Sequence, residues 1–388
     1  MTGLPPKELV LIGGGHAHAL ALEALARRPE PGVRLTVISE SALAAYSGRV
    51  PAWLAGECSL EDTRIDIAAL CRWAGARFIP QRAVAFSAAQ REVTLASGER
   101  LRFDVASINV GATLLAPEGC ASTAPQLLAM RPLAALPSRW QALCARVDTL
   151  PPGSQQKIVS VGGGAAGCET LLAVLTALRA RRPDVDFDAA LLSAGHRLLP
   201  GAGRLPRALL KRALKKAGVT LRLGVRASGL GGNESGKATV TLEKGAPVPA
   251  DIALWATGAV GHGWLRESDL ALDQRGFINV EKSLQARGAP GVFAAGDCAA
   301  FPGSLPKAGV YAVRAGPHLA DNLRRACRGE PLENWQPPRR VLALINTGDG
   351  RAIASYGVLG ASGKWLWRAK KRLDTRFIAR FNPPFNDA

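Results

Sequence analysis

Lys157-Ile-Val-Ser-Val161-Gly162-Gly-Gly164-Ala-Ala-Gly167 decides how this chain is read. An apolar run of strand character enters a glycine loop, and an Ala/Leu-rich stretch of helical spacing continues through Arg179. Ala189-Ala-Leu-Leu192 then supplies a second strand, which completes a βαβ unit. In a GxGxxG loop the first glycine makes the tight turn, and the second lets backbone approach a pyrophosphate at the helix N-terminus. The third permits close helix–strand packing. Gly162, Gly164 and Gly167 fill all three positions. Such a match is weak alone, but between a strand and a helix it is a dinucleotide fingerprint.

The same design opens the chain. Leu9-Val-Leu-Ile12 leads into Gly13-Gly-Gly15-His-Ala-His18, a helical stretch over Ala19 to Arg28, and Leu35 to Ile38. Gly13 and Gly15 hold the first two positions, while His18 replaces the third glycine. Three readings follow for His16 and His18: a helix standing slightly off its strand, an imidazole turned to the ligand, or a locally hydrogen-bonded loop histidine. Ser39 and Glu40 stand where an acidic residue binds ribose hydroxyls, and Glu40 is the better placed. The second unit has Ser193, Gly195, His196 and Arg197 there, with no carboxylate. A 2′-phosphate is therefore not excluded, and His196 or Arg197 either pairs with it or is solvated. NADH versus NADPH stays open.

Composition narrows the alternatives. The 388 residues suit two or three domains, and 47% hydrophobic content is that of a folded protein. No apolar run is long enough to span a bilayer. Gly13 to Gly15, His16 and His18 interrupt what would otherwise pass for a secretory signal, so this stretch is read as a strand and phosphate loop. Seven scattered cysteines without CxxC spacing indicate reduced thiols, a cytoplasmic setting and no zinc cluster; no metal site is expected. The net charge of +18 favours polyanions: a membrane surface, nucleic acid or a phosphorylated cofactor. Six basic residues and no acid fall in Arg204 to Lys216, and seven basic residues with one acid in Lys364 to Arg380.

Two further segments extend the pattern: Asp251-Ile-Ala-Leu-Trp-Ala-Thr-Gly258 and Gly291-Val-Phe-Ala-Ala-Gly-Asp297. In that order after the two loops, with Tyr46-Ser-Gly-Arg-Val-Pro51 and Pro306-Lys-Ala-Gly-Val-Tyr-Ala-Val-Arg314, the chain resembles the FAD/NAD(P)-binding pyridine nucleotide-disulfide oxidoreductase superfamily. Within it the chain looks like the type II NADH dehydrogenase-like branch, and is similar to the flavoprotein module fused ahead of selenide, water dikinase in some proteins. The resemblance covers nearly the whole chain.

It implies an α/β fold of two interleaved Rossmann-type (three-layer ββα) dinucleotide-binding domains plus a small C-terminal α+β cap. The expected division is 1–113 and 269–330 for the two parts of the FAD-binding domain. Residues 114–150 form a connection, 151–268 the NAD(P)-binding domain, and 336–388 a C-terminal domain with a basic amphipathic helix. It further implies that Tyr46 to Pro51, with Arg49 and Pro51, reach the isoalloxazine, and that Asp297 bonds the ribityl or phosphate end. Gly111, Gly258 and Gly296 join the cofactor set. The helix opening at Lys307, Ala308, Gly309 and Val310 points its N-terminus at the flavin N1–C2=O edge, where reduction places negative charge. Lys307 adds to this or is a surface lysine. Glu169 matches a family glutamate near the nicotinamide. The departure is cysteine: Cys168 and Cys298 lack nearby partners and read as packing residues, so the acceptor meets the flavin directly.

The expected activity is hydride transfer from NAD(P)H to FAD and then to an acceptor, most simply a quinone. The alternatives are an accessory flavoprotein acting on selenium or sulfur compounds, and a redox-sensing, polyanion-binding flavoprotein. Only charge speaks for nucleic acid. Lys364 to Phe381 is expected to be helical, with Leu366, Ala369, Leu373 and Phe377 on one stripe. That stripe either packs on the FAD domain or lies on an anionic membrane, which would place the protein at the inner membrane face.

Overall fold

The computed structural model describes residues 5–115, 117–119, 127–232 and 238–381; Cys120 lies outside them. Its helices in chain order are α1 (His16–Arg27), α2 (Val50–Leu54), α3 (Ile67–Trp73), α4 (Leu136–Asp148), α5 (Ala165–Arg181), α6 (Arg204–Lys216), α7 (Gly309–Arg328) and α8 (Lys364–Ala379).

Two five-stranded parallel sheets organise the chain. The first sets Val292–Ala294 beside Val105–Ile108, then Lys7–Ile12, Val33–Ile38 and Arg77–Ile79. The second sets Leu127–Ala129 beside Ile252–Trp255, then Gln155–Val161, Asp186–Ser193 and Val219–Leu223. The first sheet thus takes its edge strand from beyond the second.

Side-chain alternation along each central strand feeds two cores. Leu9 and Leu11 pack with Leu20, Leu70 and Leu319, on α1, α3 and α7. Val10 and Ile12 face the other way, onto Phe86, Val93 and Phe103 around the antiparallel meander of residues 83–102. In the second unit Ile158 joins Leu171 of α5 and Leu210 of α6, while Val159 and Val161 meet Leu230, Val240 and Val248 of a matching meander. Helices, parallel sheet and meander give the three layers. Ala343–Asn346, Ala352–Tyr356 and Leu359–Gly363 form an antiparallel sheet that α8 completes as an α+β cap.

Two expectations change here. His18 is fully buried, and its imidazole lies between the Gly13 carbonyl, 2.6 Å from Nδ1, and Ser107 Oγ, 2.9 Å from Nε2. The carbonyl can only accept, so Nδ1 donates and Nε2 accepts from the serine hydroxyl. Both nitrogens are taken, and burial pushes the ring down to about 4. His18 is a neutral strut under the first loop, not a cofactor ligand. Its counterpart Gly167 has no such room, since a side chain there would run into the Gly162 carbonyl.

The face of α8 also differs. Leu366, Lys370, Asp374 and Ile378 are buried, whereas Leu373 is 54% exposed. The expected stripe of Leu366, Ala369, Leu373 and Phe377 is rotated, because Lys370 and Asp374 point inward as an ion pair at 3.0 Å. The inner face packs on the molecule. It is not available to lipid.

Candidate cofactor and hydride site

The first glycine loop is shaped by contact with the end of the neighbouring strand. Gly13 has φ +96°, and a Cβ there would lie 2.6 Å from the Asn109 carbonyl oxygen. Asn109 Oδ1 accepts from the backbone N–H groups of Ala17 and His18 at 3.1 and 3.2 Å, and its Nδ2 donates to the Ala295 carbonyl at 2.6 Å. It therefore ties the loop to the Gly296–Asp297 segment. Gly296, at φ +73°, would put a Cβ 2.6 Å from that same Nδ2. Asn109 was not singled out from sequence. A polar residue ending a buried strand was its only signal.

His16 opens α1, with its ring edge-on to Tyr46 at 5.5 Å between centroids. A Cβ on Gly309 would stand 4.0 Å from its Cε1, so the starts of α1 and α7 converge here. His16 Nε2 is buried and has no hydrogen-bond partner. Burial pushes the ring down to about 4 against the pull of Asp297, so it is neutral. A buried, unpartnered nitrogen beside two helix N-termini and a glycine cradle fits an anionic dinucleotide.

Asp297 stands 2.6 Å from Arg131, which follows the edge strand of the second sheet. This pair joins the two sheet units at the cavity lined by Gly296, Asp297, Lys307, Ala308 and Tyr311. Lys307 turns into the fold: its ammonium donates to the Ala299 carbonyl and lies 3.8 Å from the centre of the Phe277 ring. Desolvation lowers its pKa. Ala308 caps α7, and Gly309 and Val310 begin it.

The remaining expected positions are more scattered. Ser39 Oγ donates to the Ser41 carbonyl at 3.0 Å, close under Gly14. Glu40 is exposed, 3.8 Å from Arg82. Gly111 and Gly258 both take φ +73° at loop turns. Arg49 is buried and donates to Thr375 Oγ1 of α8 at 3.2 Å, while Pro51 packs in α2.

In the second loop, Gly162 has φ +133° and Gly163 packs on Ser193, whose Oγ would be 2.5 Å from a Cβ. Gly164 caps α5, and nothing stands within 4 Å of where its Cβ would be. That open space leaves room for a phosphate group beside the helix N-terminus. Arg197 is exposed beyond the strand end, where no acid stands.

Glu169, at the start of the second turn of α5, accepts from the Asn346 N–H at 2.7 Å. Burial pushes it up to about 7, opposed by Lys370. Lys370 donates to the Gly48 carbonyl at 2.7 Å and to Asp374 at 3.0 Å. Burial works to lower this ammonium, but Glu169 and Asp374 outweigh it and hold it above the ordinary lysine value. Tyr46 donates to Asp374 Oδ1 at 3.1 Å, and its phenol is raised by burial and by that carboxylate. Glu57 accepts from Asn346 Nδ2 and Trp367 Nε1 at 2.9 and 2.8 Å. Two hydrogen-bonded sets, Glu169–Asn346–Glu57–Trp367 and Gly48–Lys370–Asp374–Tyr46, thus lie between α5, α8 and segment 46–51, coupled by the attraction between Glu169 and Lys370. Sequence reading singled out Glu169 and the segment, but not Lys370, Asp374 or Glu57.

Burial pushes Cys168 up to about 12 and Cys298 to about 11, and Cys298 Sγ contacts the Ile108 and Ala295 carbonyls.

A family model for pyridine nucleotide-disulphide oxidoreductases matches residues 7–322. The chain belongs to this family. Membership makes it an NAD(P)H-dependent oxidoreductase that holds FAD, in agreement with the two glycine cradles. An NADH dehydrogenase-like protein of Mycobacterium tuberculosis is 27% identical over 97% of this chain and 95% of its own length. Apoptosis-inducing factor 3 of Homo sapiens is 41% identical over 100 residues, which are 26% of this chain and 16% of that protein. In fold, the chain is similar to a sulfide:quinone oxidoreductase from Aquifex aeolicus, at a TM-score of 0.77 with 17% identity, covering 97% of this chain and 91% of that one. Among the described residues no group of three or more His, Cys, Asp or Glu is arranged to hold a metal ion.

Proposed function

We propose that this oxidoreductase passes electrons from NAD(P)H to a quinone that meets the flavin directly. The observation that carries the reading is the buried cluster of Tyr46, Asp374, Lys370 and Glu169 beside segment 46–51. Reducing a quinone to a quinol takes two protons as well as two electrons. One of those protons arrives with the hydride, and a carboxyl near 7 that is coupled to a buried ammonium is suited to supply the other and recover it from solvent. The high thiol pKa values argue against a dithiol relay. Bound there, FAD would supply the two-electron chemistry between the nicotinamide and the acceptor. Asp297, Arg131 and His16 would hold that group beside the loop that Asn109 braces, and the loop at Gly162 to Gly167 would orient the nicotinamide donor. A type II NADH:quinone oxidoreductase of Staphylococcus epidermidis is 30% identical over 152 residues, covering 38% of this chain and 37% of its own length, which supports the choice of acceptor.

The test is anaerobic turnover of the FAD-loaded protein with NADH and with NADPH against soluble quinones, selenite and polysulfide. Quinone-dependent oxidation of the nicotinamide is expected, without added thiol. Turnover with the sulfur or selenium compounds alone would replace this reading by that of a selenium or sulfur accessory flavoprotein.

A further inference from the structure

Nine large apolar side chains are exposed among the described residues, and five of them gather at one corner. The register pairs Tyr356 with Leu359 across the last hairpin, and Ala343 with Ser355, which sets Leu342 opposite Tyr356. Residues directly opposite share a face, so these three form a row. Val358, at 72% exposure, is the hairpin tip. Leu205 joins them from α6, because the Gly203 N–H donates to the Gly357 carbonyl at 2.9 Å and Gly360 packs on Pro206. Both contacts lock the hairpin to the start of α6, so the corner is a built surface.

Its border is basic. Arg204 precedes Leu205, Arg339 and Arg340 precede the first cap strand, and all three are exposed. Arg340 Cδ would lie 3.3 Å from a Cβ on Gly357, at the tip. No acid occurs from Arg204 to Lys216, and Asp349 is the one acid between residues 334 and 373. Asp349 pairs with Lys216 at 3.2 Å, at the far end of α6.

We propose that this corner seats the protein on an anionic lipid surface, with the tip residues entering the headgroup boundary and the arginines facing lipid phosphates. Surfaces of this composition bind by apolar insertion together with attraction to anionic headgroups. Contact falls to the hairpin and α6, while the inner face of α8 stays packed in the molecule. No helix among the described residues is long and apolar enough to cross a membrane, so the seat is peripheral. This inference does not depend on the acceptor, because docking is read without turnover.

The experiment is flotation of the FAD-loaded full chain with vesicles of phosphatidylglycerol and phosphatidylcholine, or of phosphatidylcholine alone. Flotation is expected with the anionic vesicles only, weakening as salt rises. Val358→Asp combined with Leu359→Asp should lower partitioning by about tenfold or more. Arg204→Glu with Arg340→Glu should do the same. Leu43→Asp, an exposed apolar site outside the corner, should float like the unmodified chain. Unchanged FAD content shows that the variants fold. Equal flotation of the Val358/Leu359 variant, or no flotation of the unmodified chain at low salt, overturns the proposal. So does binding to a DNA duplex in place of vesicles.

Discussion

Asp297 holds its carboxylate 2.6 Å from the Arg131 guanidinium, at the edge of the cavity that also includes Gly296 and Ala308. Its motif made it legible in the sequence, whereas Arg131 was silent: their nearness exists only because an edge strand of the second sheet ends beside the first. Asp297→Ala removes a charge-assisted partner worth about 1.5–3 kcal/mol, so FAD should bind about ten- to a hundredfold more weakly. A folded protein of low flavin-to-protein ratio is the expected result, read by absorbance after gel filtration. Full occupancy would remove Asp297 from the cofactor site. His18 was open to three readings in the sequence, and the structure selects the locally hydrogen-bonded one. Its place in the loop invited a ligand role, but the identity of an imidazole could not reveal that Ser107 waits behind it.

Glu169 supplies a second prediction at this scale. Its pKa is raised, mainly by burial, to about 7. A carboxyl raised on folding binds its proton more tightly in the native state, so its contribution favours folding at low pH. That contribution is lost as pH rises from the ordinary carboxylate range through about 7. In turnover, the protonated form is the donor, so the quinone-reducing rate should fall above that value. Glu169→Gln keeps the hydrogen-bonding shape but cannot titrate. Its rate should be lower and flat across the same range, as pH profiles of kcat would show. A profile in the variant identical to that of the unmodified chain would exclude Glu169 as the proton source.

Among the elements, α5 and α8 were read with unequal success for one physical reason. The strand–glycine–helix order fixed α5, because backbone demands at Gly162 and Gly167 allow few other residues. The face of α8 depended on apolar spacing alone. Lys370 and Asp374 sit on its inner side, where each neutralises the other, and no hydropathy pattern marks a buried ion pair. The α5 cap offers a clean test. Gly164 has φ −76°, which any residue adopts, and its Cβ position is open. Gly164→Val should therefore leave folding and flavin content intact while blocking the pyrophosphate path. Stopped-flow reduction by NAD(P)H is expected to slow by two orders of magnitude or so, roughly 3 kcal/mol of lost positioning. Reduction by dithionite should be unchanged. Normal reduction by NAD(P)H would place the nicotinamide elsewhere.

At the scale of the whole molecule, the first sheet is the vulnerable part. Its strands at 105–108 and 292–294 are adjacent in space, but the entire second sheet lies between them in sequence. Closing that long excursion costs entropy, which the contacts of Asn109 with Ala295 and of Arg131 with Asp297 only partly offset. Sequence order disclosed the interleaving through its two loops and the late Gly296–Asp297 segment. It could not disclose these cross-links, which depend on side chains meeting between units. FAD lies along the same seam in this reading, so it should act as a third cross-link. A ligand that binds only the native state stabilises it by about 2.7 kcal/mol at a hundredfold excess over Kd. Stripping FAD should therefore lower the first thermal transition by several degrees and separate it from a later one belonging to the second sheet. Re-adding FAD should move the early transition alone, whereas NAD should move the later one. Calorimetry on holo, stripped and reconstituted protein distinguishes the cases, and a single transition shifted equally by both ligands would mean that the two sheets melt as one unit.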